Sequence, residues 1–161
     1  IEGAFCIRAS SIDSEYQWNA LNAEMSALKI ARESREASLR LGRRFITLAW
    51  SLTQHAKTRF PGDGHLATAF GLVSSVLGIA PKDAAAALLH QNLYGSISCF
   101  ERLLPFGQSA AMRLLWSLKP RIIETVNEAE DAQPEDLWNL QPLLEMGSMR
   151  HPHLQTRLFI S

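Results

Sequence analysis

Chemistry in this chain would have to come from a short set of side chains. His151-Pro152-His153 puts two imidazoles close enough to share a metal ion, yet no carboxylate or thiol stands beside them to complete a first-row metal site. Glu101 and Arg102 are the types of an acid and its partner, but at the end of a helical pattern they serve more simply as end residues, the cation complementing the helix dipole. Cys6 and Cys99 are far apart and form no C-x-x-C, which indicates neither a disulfide framework nor a zinc ribbon and predicts two reduced thiols in a cytoplasmic protein. Gly62-Asp63-Gly64 is too short to cradle a phosphate, and the G-x-x-x-x-G-K-[ST], G-x-G-x-x-G and G-x-S-x-G patterns do not occur. Of the remaining histidines, His55 and His65 flank a polar loop and are expected at the surface, while His90 lies among leucines as a core or interface residue. Trp18, Trp50, Trp116 and Trp138 read as core or interface rather than a ligand cage. The residues predict no catalytic set, no metal site beyond the candidate pair His151 and His153, and no cofactor of the chain's own. They describe an interaction protein rather than an enzyme.

Composition narrows the partners. Sixteen basic and sixteen acidic residues cancel, removing the long-range field on which non-specific nucleic-acid binding relies. No run of 18 apolar residues occurs, so no membrane-spanning helix is predicted. The 161 residues fit one domain with 47% hydrophobic content. The chain begins at Ile1 without an initiator methionine or a basic segment leading into an apolar core, and is expected to be a piece whose front is missing. An exposed apolar face is then expected where an upstream helix would lie.

The elements that hold these residues are helical throughout. The pattern turns around Ser98 to Leu115, where Pro105, Phe106 and Gly107 separate two apolar faces. Leu89, Leu93, Ile97, Phe100 and Leu104 precede the proline, and Ala111, Leu114 or Leu115, Leu118, Ile122 and Val126 follow it at helical period. Proline removes a donor and disfavours helical geometry at Leu104, predicting a tight joint between two buried helices. Upstream, Trp18, Leu21, Met25 and Leu28 predict a helix over 14–28 with Ser11 or Asp13 as cap. Residues 29–52 form the longest periodic segment, with Ala37 or Ser38, Leu41, Phe45, Leu48 and Leu52 inward and Arg32, Glu33, Glu36, Arg40, Arg43 and Arg44 outward. That charged stripe suits a solvated face, or a face for carboxylates that guanidinium groups bind in pairs. A helix from about His65 to Leu77 ends at Gly78, and Pro81 opens the next one, in which Gly95 suggests close packing. Pro120 should split the helix after the joint. Residues 1–10 show no clear period, 124–134 read as an acidic surface loop, and a short helical piece follows around 137–146. The division is thus an all-α bundle over 1–146 and an extended tail over 147–161 with the apolar tip Leu158-Phe159-Ile160.

Three stretches carry a family resemblance. R-L-L-P-F-G-Q-S-A-A, Arg102 to Ala111, resembles the basic-Leu-apolar-Pro-[Leu/Phe]-Gly-Gln-x-Ala signature of the urease accessory protein UreF family. S-M-R-H-P-H-L-Q-T-R-L-F-I-S, Ser148 to Ser161, resembles that family's C-terminus, with Pro152 in place of a glutamate and Ile160 in place of a frequent arginine. A-R-E-S-R-E-A-S-L-R-L-G-R-R, Ala31 to Arg44, is similar to its S-R-E-x-R-E-x-S-x-x-x-G helix. The resemblance implies an all-helical, dimeric, non-enzymatic maturation factor that joins UreH (UreD) and the GTPase UreG to deliver nickel to apo-urease. Nickel and GTP are then handled by the partner complex. By the same resemblance, Met149 to Ser161 would order on UreH, with Arg150, Arg157 and Phe159 as anchors and His151 and Leu158 beside them. Arg102, Pro105 and Gln108 would lie in the dimer and GTPase-binding region.

Overall fold

The computed structural model describes residues 1–53, 62–137 and 142–150. Among the described residues the chain forms α1 (Glu2–Ser10), α2 (Glu15–Leu28), α3 (Arg32–Thr53), α4 (Leu66–Val76), α5 (Pro81–Leu103), α6 (Gln108–Ser117), α7 (Lys119–Asp131) and α8 (Pro142–Arg150), with one 3-10 turn at Pro134–Asp136 and no strand.

The bundle is built around α1, the segment with no legible period. Ala4, Phe5, Cys6 and Ala9 are all fully buried, and α1 packs against α4, α5 and α7. A helix covered on most sides needs apolar or small residues on most sides, and such a helix shows no stripe. α4 is of the same kind: Ala67, Thr68, Ala69, Leu72, Val73 and Ser74 are all buried. α2 places Trp18, Leu21 and Met25 into this core as its period requires. Its cap is Ser14, whose hydroxyl accepts from the Gln17 amide at 3.3 Å, one residue beyond the expected caps.

The breaks fall where proline and glycine put them. Gly78 follows α4 with φ +71°, Pro81 occupies the first turn of α5, and Pro120 in the first turn of α7 marks the split from α6. Ala111, Leu115, Ile122 and Val126 are buried and Leu118 half-buried, so one apolar face runs across that split.

Four expectations are corrected. Residues 124–131 are the second half of α7 rather than a loop, because Val126 and Ala129 keep an apolar side against α1 and the polar residues pair outward. Arg121 meets Glu124 at 2.6 Å and Lys82 meets Glu130 at 2.5 Å. α8 runs on through Gly147 to Arg150, where an extended backbone was expected from 147. A Cβ at Gly95 would meet open space, so that glycine does not mark close packing.

The fourth concerns α3. Leu41, Leu48 and Leu52 are 49%, 58% and 73% exposed, while Ser38, Gly42 and Trp50 are buried. Gly42 explains the rotation. A Cβ there would collide with the Gly64 carbonyl oxygen, so the helix approaches the entry to α4 along its small-residue side and turns the leucines away. Phe45 lies between the two faces, stacked on Phe70 of α4 with centroids 5.2 Å apart.

Candidate functional site

The turn between α5 and α6 is closed by backbone hydrogen bonds. Leu104 is extended (φ −129°, ψ 153°), its amide still donating to the Phe100 carbonyl at 2.9 Å, and the Phe106 amide closes onto the Leu104 carbonyl at 2.7 Å. Gly107 opens α6, its carbonyl accepting from the amides of Ala110 (2.9 Å) and Ala111 (3.1 Å). Beneath the turn a small second core of Ile97, Ala111 and Leu115, flanked by Leu93 and Leu118, fixes the two helices against each other.

The joint is tight, as its sequence predicts, but it is not buried. Phe100, Leu103 and Leu104 are each more than half exposed, Phe106 and Leu114 more than a third. The apolar period continues past Ile97, but α5 has by then left the main core, and nothing in the described chain lies over Phe100 and Leu104. Arg102, Pro105 and Gln108 are exposed in the same turn. Trp116, 70% exposed, lies further along α6 with the Lys119 ammonium 3.6 Å from its ring centre. A joined group of large apolar side chains of this kind is the ordinary mark of a protein-binding surface.

The second predicted region is divided. Met149 and Arg150 end α8 with exposed side chains. His151, His153, Arg157, Leu158 and Phe159 lie outside the described residues, as do His55 and Trp138.

The most constrained polar cluster sits where the sequence indicated surface. His65 is fully buried. Its amide donates to Asn22 Oδ1 at 2.8 Å and its Nε2 lies 2.8 Å from Ser26 Oγ. The Thr68 hydroxyl is 2.6 Å from the same Asn22 oxygen, and Asn22 Nδ2 donates to the Trp18 carbonyl at 2.9 Å. Burial, then the Lys29 and Arg35 charges, pushes the His65 pKa down to about 4, partly offset by Glu2. A neutral imidazole tied to two helices is a structural pin between α2 and α4. Sequence reasoning missed it because Gly-Asp-Gly beside it looked like an exposed loop.

Cys6 is buried, its thiol pushed up to about 12 by burial and by Glu2, whereas Cys99 is exposed on α5. Among the described residues no group of three His, Cys, Asp or Glu could hold a metal ion, and no helix is long and apolar enough to cross a membrane. An open groove of about 340 Å³ between α1 and α2 holds the Arg8–Glu24 pair, the guanidinium meeting both carboxylate oxygens at 2.6 Å.

The described helices form an all-α bundle that leaves the apolar joint between α5 and α6 uncovered. The UreF family model matches residues 1–119, and the chain belongs to the UreF family. It is 29% identical to the urease accessory protein UreF of Bacillus sp. (strain TB-90), over 99% of this chain and 75% of that one. It is also 29% identical to UreF of Picosynechococcus sp. (strain ATCC 27264 / PCC 7002 / PR-6), over 87% and 65%, and 28% identical to UreF of Paenarthrobacter aurescens (strain TC1), over 88% and 67%. The chain therefore spans about two thirds to three quarters of the length of these relatives.

Proposed function

We propose that this chain acts in the cytoplasm as a non-enzymatic scaffold of urease maturation, which with UreH (UreD) recruits the GTPase UreG so that nickel reaches apo-urease. The nickel is cargo of the assembly and the GTP is spent by the GTPase; the chain supplies surfaces. The observation that carries this reading is the uncovered apolar joint at Phe100, Leu103, Leu104 and Phe106, which coincides with the family signature from Arg102 to Ala111. Arg102, Pro105 and Gln108 stand at its rim and serve the homodimer and the GTPase, while Met149 and Arg150, with the residues after them, serve UreH.

The division of labour is physical. A rigid turn held by two helices presents a preformed surface at little ordering cost, whereas a short terminal segment with arginines and an aromatic binds by ordering on its partner. Co-purification with UreH, with and without the last thirteen residues, followed by addition of the GTPase, tests the reading. Tail-dependent capture and then GTPase recruitment are expected. A folded chain that UreH captures equally well without residues 149–161 contradicts the assignment of the tail, and a captured pair that never recruits the GTPase contradicts the scaffold role.

A further inference from the structure

The last helix of the bundle is anchored on the helix that carries an uncovered apolar row. Leu41, Leu48 and Leu52 follow at spacings of seven and four, which keeps them on one side of α3 over about 16 Å at 1.5 Å per residue. All three are half to three-quarters exposed. α8 packs chiefly against α3 and ends at Arg150, with Met146 and Met149 half exposed in its last turns. The eleven residues after Arg150 lie outside the described residues; they contain no acid and carry the apolar run Leu158-Phe159-Ile160 just before Ser161.

Tether geometry selects the occupant of the row. Eight residues lead from Arg150 to Leu158, an extended reach of about 26 Å, which exceeds the length of the row. A segment tethered on the same helix faces the leucines at an effective concentration in the millimolar range, far above that of any second chain. We infer that in the free chain residues 151–161 fold back as an intramolecular strap, with Leu158, Phe159 and Ile160 covering Leu41, Leu48 and Leu52. Both apolar groups then leave water together, which is what drives the contact. Its strength is limited by charge: the segment brings Arg157 and no acid to a helix that exposes Arg44, so apolar burial alone holds the strap. A contact held in this way is weak enough to be exchanged. The agent of exchange rests on the scaffold reading, in which UreH takes the same terminal residues. Capture by UreH then removes the strap and uncovers the α3 row in one event, so that this face of α3 is open in the assembly and closed in the free chain.

The test uses the full chain carrying Cys99→Ser, which leaves buried Cys6 as the one native thiol. Under mild oxidation, Leu48→Cys with Phe159→Cys should close a disulfide at least about tenfold faster than Ile123→Cys with Phe159→Cys, because closure needs the two Cβ atoms within a few ångströms. Leu48 and Ile123 are both exposed, at 58% and 61%, and an unchanged thermal midpoint confirms that each variant is folded. The faster closure should not depend on chain concentration, and added salt should quicken it by screening the like charges. With Leu48→Cys alone, deleting residues 151–161 or adding UreH should speed maleimide labelling at least about fivefold. Equal closure of the two pairs, or labelling indifferent to the deletion, would overturn the strap. So would closure that rises with chain concentration, since a second copy would then be the occupant. UreH that binds the chain without speeding the label would overturn the exchange and leave the scaffold reading intact. Closure of the strap in a chain that UreH never binds would count against that reading and leave the strap standing.

Discussion

Gly42 of α3 sits directly on the carbonyl oxygen of Gly64, with no room between them for a Cβ. That contact sets the rotation of α3 and thereby which of its faces is left exposed. Gly42→Ala should destabilise the chain by about 2–3 kcal/mol, because the methyl group meets backbone on both Gly64 and His65 and neither can yield without moving the entry to α4. Gly95→Ala is the internal control. Its Cβ meets open space in mid-helix, so it should stabilise by about 0.5–1 kcal/mol. Urea unfolding of both variants checks the pair, and a neutral Gly42→Ala would show that α3 is free to sit elsewhere.

His65 makes stability depend on acid. The unfolded imidazole takes up a proton near its ordinary value of 6.5, and the folded one only near 4. The unfolded state therefore binds more protons between these values, so the contribution is whole above pH 6.5 and is lost as pH falls toward 4, about 3 kcal/mol in all. His65→Gln should be less stable at pH 7 and should have a flatter stability profile between pH 6.5 and 4. Parallel profiles for the two proteins would contradict the buried neutral imidazole.

The two thiols should differ sharply in reactivity. The thiolate is the reacting form, and the Cys6 thiol, buried and pushed up to about 12, should not react, while exposed Cys99 should. Mass spectrometry after brief maleimide treatment at pH 7.5 should show one label on the native chain, two after denaturation, and none on native Cys99→Ser. Labelling of Cys6 in the native state would mean that α1 opens readily.

How much of this was legible depends on whether a face has one job. Ala111, Leu115, Leu118, Ile122 and Val126 were readable because one stripe faces inward along its whole length, onto the small second core at Ala111, Leu115 and Leu118 and the main core at Ile122 and Val126, and Pro120 announced the break within it. α1 was not readable as the centre, because a helix buried on most sides shows no period. The direction of α3 was misread because the apolar stripe and the packing stripe are different sides, and a single glycine decides between them. At the joint the period identified Phe100 and Leu104 correctly as one apolar face. Periodicity reports that a face is apolar without reporting whether its cover is the same chain or another. His65 was hidden for a third reason: its hydrogen-bond partners, Asn22, Ser26 and Thr68, come from two helices, and no spacing along the chain reveals that they converge.

The joint itself gives the most direct test. Leu104 is 55% exposed on an extended residue outside both helices, so Leu104→Glu should leave the thermal midpoint unchanged while placing a charge in the middle of the surface. Measured by light scattering and by co-purification with UreH and the GTPase, the folded variant should lose self-association and GTPase recruitment while still being captured through its tail. A folded Leu104→Glu chain that assembles as fully as the wild type would contradict the account.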